Sequence, residues 1–321
     1  MVPRGFVDLQ VNGYRGVDFS DPQLTDDEVV TAWRGLVADG TAIMLPTMIT
    51  SAEQVYANNL PRLARLAGLP EFAVHIAGFH LEGPFLCPRE GAAGAHNPAW
   101  MQAADQLSLE RLQGYAGGRI RLLTLAADLP GAAALIAQAR RQGIVVSLGH
   151  HLADAAELAQ AVAAGATALT HLGNGLPHLV GRHHNPLHAG LAEDGLQAMV
   201  IGDGHHLPWS LVRIILRTKG LERCILVSDA SPLAGLPPGD YPCFGAVARI
   251  AADGRLFIPA TGYLAGSSST IRQVVNASRT ALGLDDAACT AQAVTNPLAL
   301  LGMQRPVAAL PRAADGSYLP P

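Results

Sequence analysis

Lysine is nearly absent from this chain: among 321 residues only Lys219 carries an ε-amine, while arginine and alanine are plentiful, which reads as genome composition and carries no functional weight. A large excess of charge of either sign is also lacking. Charged residues make up 15% of the chain and the net charge is -4, so there is no polycationic surface, which argues against nucleic acid as a partner. The four cysteines (Cys87, Cys224, Cys243 and Cys289) are far apart and form no CxxC pair, which excludes an all-cysteine metal site and points to reduced, packing thiols in a cytosolic protein. No window approaches the roughly 18 uninterrupted apolar residues of a membrane span. The opening MVPRGFVDLQVNG lacks the basic and apolar regions of a signal peptide. A soluble, cytoplasmic protein is the expectation, with neither an internal repeat nor a low-complexity linker. At 49% hydrophobic it has ample side chains for one large core.

What is there is a repeated alternation of short apolar runs and helical patterns. Residues 144–148 and 168–169 are apolar runs that each close on a histidine, with a helical pattern over 153–164 between them, the strand–helix–strand unit of a parallel sheet. Further strands are expected at 5–11, 41–48, 75–82, 120–127, 197–201 and 224–228. Helices are expected at 25–39, 51–66 with Ser51 as its cap, 131–142 and 208–218. Residues 83–98 are too rich in glycine and proline to be anything but a loop, and so long a loop inside a compact domain is usually functional. Eight alternations predict an α/β fold, a (β/α)8 TIM barrel, over residues 1–303. That domain includes a hairpin at 240–260 around the turn pair Asp253-Gly254 and helices within 267–301; an irregular tail spans 304–321.

In such a barrel, residues at the carboxyl ends of strands face one mouth. Glu82 ends strand three just before Gly83-Pro84, His150 and His171 follow strands five and six, and Asp229 ends strand eight. Glu82, His150 and His171 form a three-ligand set that leaves a position open for water, the pattern of a catalytic zinc site. Asp229 suits general base and acid work on the water such an ion activates. One histidine among 12 is more often a surface or core residue than a ligand, but four such residues at successive strand ends are hard to explain by packing. His151 is expected to lie beside the site or cap a helix, and His80 to point away from Glu82.

The strings GFVDLQVNG, GFHLEGPFL, SLGHH, THLGNGLPHLVGR, IGDGHH, LVSDA and LAGSSST, in this order, resemble the N-acetylglucosamine-6-phosphate deacetylase family of the amidohydrolase superfamily. The resemblance covers most of residues 5–303. It implies metal-dependent hydrolysis of the acetamide of an N-acetylated amino sugar, with Glu82, His150 and His171 as metal ligands and Asp229 as the catalytic acid and base. Gln10 and Asn12 stand where many amidohydrolases carry His-x-His. A single divalent ion is therefore expected, zinc first and iron(II), cobalt or manganese as alternatives, with the two amides contacting its water or orienting Asp229. By the same resemblance His96 polarises the substrate carbonyl, and Asn174, Gly175, Arg182 and His206 bind substrate, Arg182 at the sugar phosphate. Gly175 replaces the family's alanine, and Arg182 is followed by His183-His184-Asn185-Pro186 rather than Glu-Pro, which leaves open a relative of the usual substrate.

The family's β-sandwich segments are mostly missing, and the tail reads as their remnant. Residues 257–259, the tail or a second subunit should then cover the barrel, and a homodimer is expected. A sibling amidohydrolase cleaving another amide in a biosynthetic pathway, and an inactive barrel binding a phosphosugar or a partner protein, are the alternatives.

Overall fold

Eight apolar segments pair in sequence order as parallel neighbours: β1 (Phe6–Val11), β2 (Thr41–Ile49), β3 (Phe79–Glu82), β4 (Ile120–Leu125), β5 (Val145–Leu148), β6 (Ala168–Leu169), β7 (Gln197–Ile201) and β8 (Cys224–Val227). The computed structural model describes residues 2–243 and 246–321; residue 1 of the expected barrel domain and residues 244–245 of the expected hairpin lie outside the described residues. The ring closes between its last and first strands through a parallel bridge from Val11 to Ala230. The Asp8 carboxylate reinforces the seam, because Oδ1 accepts the Ser228 amide at 3.1 Å and Oδ2 the Ser228 hydroxyl at 2.5 Å. Burial pushes the Asp8 carboxyl up to about 7, against these hydrogen bonds.

The helices α1 (Asp26–Ala38), α2 (Glu53–Ala67), α3 (Gln106–Tyr115), α4 (Ala132–Arg141), α5 (Ala155–Ala164), α6 (Pro186–Ala192), α7 (Trp209–Lys219) and α8 (Ile271–Leu282) follow the strands in turn. Capping boxes start α1 (Thr25 with Glu28) and α5 (Asp154 with Glu157). Ser51 does not cap α2: Ala52 is the N-cap residue, the helix begins at Glu53, and the Ser51 hydroxyl donates to the Ile49 carbonyl at 2.9 Å. Strand β3 starts at Phe79 rather than at residue 75, because the chain turns at residues 71–75, makes only an isolated parallel bridge from Ile76 to Met44, and takes φ +144 at Gly78. Among the described residues no helix is long and apolar enough to cross a membrane.

Period-two alternation divides the strands' side chains between two layers. Outward-facing Phe79 and Leu81 pack with Trp33, Leu36, Leu60 and Leu63 of the helical shell. Another cluster gathers Val7, Leu9, Ile43, Leu45, Leu122, Met199, Ile201 and Val227, and the C-terminal helical segment Asn296–Leu300 joins it through Leu298 and Leu300. Each fully buried leucine or isoleucine there contributes about 1.5–3 kcal/mol.

The expected hairpin is a three-stranded antiparallel meander, β9 (Gly239–Cys243), β10 (Ala246–Ile250) and β11 (Leu256–Phe257), with Asp253-Gly254 in its second turn. Its apolar residues pack with Leu233 and Ala265 in a cluster of their own, so the segment from Phe257 does not cover the barrel. The tail does: Leu310 and Tyr318 pack on Phe6, Ile271, Val274 and Val275, and Ala308 bridges to Arg4.

Candidate active site

Glu82, His150, His171 and Asp229 all meet at the rim where the parallel strands end, and all four are buried. His150 Nε2 lies 3.1 Å from Glu82 Oε1, His171 Nε2 lies 2.8 Å from the same oxygen, and the two Nε2 atoms are 3.1 Å apart. These are the separations of donors that share one small ion: neighbouring ligands around a tetrahedral ion at ~2.0–2.1 Å stand ~3.3 Å apart. The tautomer of His150 agrees. Its Nδ1 lies 2.7 Å from the Ala92 carbonyl, which can only accept, so Nδ1 carries a proton and Nε2 is the atom turned to the shared point. Burial works to raise the Glu82 carboxyl, but the facing imidazoles of His150 and His171 prevail and hold it well below the usual range. The donor set fits a divalent cation.

The backbone is bent to make this convergence. Of the four non-glycine residues with positive φ among the described residues, three are His150 (+52), His171 (+30) and Asp229 (+50). Such conformations cost on the order of 1–3 kcal/mol each and persist where the surrounding structure imposes them, commonly at active sites. Gly175, at φ +64, is required beside them, since a Cβ there would stand 2.9 Å from His150 Nδ1.

Asp229 Oδ1 accepts a hydrogen bond from Asn12 Nδ2 at 2.7 Å. Burial first and the Glu82 charge second raise its carboxyl to about 6, near the pH at which a general base works best. His96 sits across the site with Nε2 3.9 Å from Glu82 Oε2, while its Nδ1 accepts the Thr50 amide at 3.3 Å. Its proton therefore lies on Nε2. Burial, then the neighbouring His150, depress its pKa to about 3, so the ring is a neutral donor.

His80 does not point away from Glu82. Residues two apart on a strand share a face, and His80 faces the barrel interior, 2.8 Å from Thr124 Oγ1, which continues to Thr170 Oγ1 at 2.7 Å and Ser147 Oγ at 2.6 Å. Burial lowers the His80 pKa to about 4. His151 is buried and accepts the Ala153 amide at Nδ1, 3.1 Å, in the turn before α5. Gln10 is fully buried, and neither end of its amide finds a partner among the described residues.

Above the rim opens a cavity of about 880 Å³, bordered by Asn12, Glu82, His96, His150, His171, Asn174, Gly175, His206 and Asp229. Arg182, in contrast, is exposed and not on its wall. Sequence reasoning did not single out Asp203, although it lies in the quoted DGHH string. Its Oδ2 takes His206 Nδ1 at 2.8 Å and the Ser267 hydroxyl at 3.1 Å, and its Oδ1 takes the amides of His205 and His206. Burial works to raise this carboxyl, but the bond from His206 and its charge hold it well below the usual range. As a carboxylate it can only accept, so His206 Nδ1 is the donor.

A parallel barrel that gathers Glu, His and His beneath a strand-eight aspartate is the architecture of the metal-dependent amidohydrolases. No protein-family model matches the chain. The N-acetylglucosamine-6-phosphate deacetylase of Danio rerio is 32% identical over 334 residues, covering 99% of this chain and 80% of that protein. The N-acetylgalactosamine-6-phosphate deacetylase of Escherichia coli O157:H7 is 29% identical over 301 residues, 93% of this chain and 77% of that one. A mutant N-acetyl-D-glucosamine-6-phosphate deacetylase from Mycobacterium smegmatis, solved in complex with N-acetyl-D-glucosamine-6-phosphate, has a TM-score of 0.84 at 32% identity, covering 95% of this chain and 78% of that chain. The chain belongs to the N-acetylglucosamine-6-phosphate deacetylase family of amidohydrolases.

Proposed function

We propose that this enzyme hydrolyses the acetamide of N-acetylglucosamine-6-phosphate to glucosamine-6-phosphate and acetate. The observation that carries the reading is the convergence of Glu82 Oε1, His150 Nε2 and His171 Nε2 within 3.1 Å of one another. They would hold a single divalent ion, zinc by preference for its nitrogen-rich set, which when bound supplies Lewis acidity to the acetamide carbonyl and to water.

The chain's own residues divide the remaining work. Asp229, aligned by Asn12, takes a proton from the attacking water and returns it to the departing amine. His96, neutral and protonated at Nε2, donates to the acetamide oxygen, where negative charge develops in the transition state. Asn174, Gly175 and His206 bind the substrate from the cavity wall. Asp203, ionised and bonded to His206 Nδ1 at 2.8 Å, fixes that ring so that Nε2 is the atom offered to substrate. The sequence-based role of Arg182 at the phosphate is not carried over, because this residue does not border the cavity of the single chain.

A homodimer is proposed as the working form. Leu179 (91% exposed) and Val180 (43% exposed) form an apolar tip close to the mouth, the kind of surface a second subunit covers. The cytoplasm is proposed as its compartment because Cys87, Cys224, Cys243 and Cys289 are all free, buried thiols.

The test is acetate release by zinc-loaded protein from N-acetylglucosamine-6-phosphate, with N-acetylgalactosamine-6-phosphate as comparator. Acetate and free amine appearing in equal amounts support the reading. No acetate above the chelator-treated control from either sugar would sink it.

A further inference from the structure

Tyr56 has no part in the chemistry described above, yet it is fully buried and its phenol is bonded to the backbone beside the rim. It lies near the start of α2, a helix whose N-cap residue, Ala52, makes no side-chain cap. The phenol reaches back over residues 50–52, which join β2 to α2. Its oxygen accepts the Ser51 amide at 3.1 Å, and its hydrogen goes to the Ile49 carbonyl at 3.0 Å. Burial pushes the Tyr56 phenol up, so it remains an O–H donor. The Ser51 hydroxyl donates to the same carbonyl at 2.9 Å, and Ser20 Oγ accepts the Ile49 amide at 3.0 Å.

The residue between these anchored neighbours is Thr50, which faces the site. Its amide donates to His96 Nδ1 at 3.3 Å and its hydroxyl to the Glu82 carbonyl at 3.3 Å. The fit is close, since a Cβ added at Gly83 would stand 2.2 Å from Thr50 Oγ1. The Ile49 carbonyl and the Thr50 amide belong to one peptide unit, which is planar and trans, so its C=O and N–H point in opposite directions. Holding the carbonyl therefore aims the amide. Because an N–H can only donate, that amide decides which nitrogen of the neutral His96 ring keeps the proton. On its other flank the ring packs edge-on against His150, with centroids 4.4 Å apart and planes at 77°.

Resting on the deacetylase reading, in which His96 Nε2 donates to the acetamide oxygen, we infer that Tyr56 is a positioning residue for His96. Its phenol holds the 49–50 peptide by the carbonyl, and the amide at the other end of that peptide holds the ring as the Nε2–H tautomer, aimed into the site. Tyr56 does not border the cavity and acts through this one peptide. A phenol bonded only because it is buried would matter equally whatever side chain stands at position 96.

The test is a double-mutant cycle of Tyr56→Phe and His96→Ala, read as kcat and KM of the zinc-loaded enzyme for N-acetylglucosamine-6-phosphate. Tyr56→Phe removes the hydroxyl and keeps the packed ring. It is expected to lower kcat about tenfold with KM little changed, and His96→Ala to lower it roughly a hundredfold or more. The two losses should not add: the double variant is expected to match His96→Ala. An unchanged kcat in Tyr56→Phe, or a loss repeated in full once His96 is gone, overturns the assignment. Should Tyr56→Phe not fold, Ser51→Ala removes the other donor to the same carbonyl; a loss that disappears without His96 supports the peptide as the link, and one independent of His96 overturns it. Nuclear magnetic resonance of isotope-labelled histidine, with the His96 signal assigned by its absence from His96→Ala, needs no turnover. A single Nε2–H tautomer in the unaltered chain that becomes a mixture in Tyr56→Phe keeps the positioning role even if no acetate is released and the deacetylase reading fails. The same tautomer in both chains ends that role and leaves the deacetylase reading untouched.

Discussion

The side-chain amide of Asn12 donates to Asp229 Oδ1 at 2.7 Å, joining the end of the first barrel strand to the end of the eighth. The bond fixes the carboxylate that works as base, and it lowers a pKa that burial has raised to about 6. Removing it in Asn12→Ala raises the Asp229 pKa further. Because the base must be ionised to accept a proton, the acid limb of the kcat/KM profile should move to higher pH, by up to about one unit for a hydrogen bond of ~1 kcal/mol. A pH–rate profile of the variant that overlays the original would remove Asn12 from this role.

Asp229→Asn keeps the size and most of the polarity of the side chain but cannot take the proton. Its kcat should fall roughly a hundred- to ten-thousandfold, while metal content, read by elemental analysis, stays at one ion per chain. Full activity in this variant would mean that another group is the base.

Asp8 makes stability depend on pH in the direction opposite to an ordinary surface carboxylate. Burial raises its folded-state pKa from 3.8 to about 7, so between these values the folded chain holds a proton that the unfolded chain has released. The stabilising contribution is complete below about pH 4 and is lost as pH rises through 7, with a slope of up to about 1.4 kcal/mol per pH unit. Urea unfolding of Asp8→Asn should lack this slope. Parallel curves for the variant and the original chain between pH 4 and 7 would contradict it.

Metal binding to the folded chain alone should appear as thermal stability. Zinc at a hundred times its dissociation constant contributes about 2.7 kcal/mol. A strong chelator is therefore expected to lower Tm by several degrees in the original chain and by almost nothing in Glu82→Gln, as followed by calorimetry. Equal shifts in both would place the ion elsewhere.

The barrel and the rim residues were legible in the sequence because parallel strands announce themselves as short apolar runs, and residues ending such runs must share a mouth. Other parts were not. The α3 helix escaped notice because its buried face is only Ser108, Leu109 and Leu112 amid polar neighbours. The position of Arg182 depends on a loop with no periodicity, so its motif gave the residue type without its direction. The positive φ angles of His150, His171 and Asp229 leave no mark in the sequence, since none of them is glycine. His80 was legible and misread: residues 80 and 82 differ by two, which on a strand means the same face.

The most direct test of the account is the anomalous diffraction of zinc-loaded crystals. One peak is predicted, lying ~2.0–2.2 Å from Glu82 Oε1, His150 Nε2 and His171 Nε2 together. A peak at other residues, or none at that point at full zinc loading, would contradict the shared cation on which the chemistry depends.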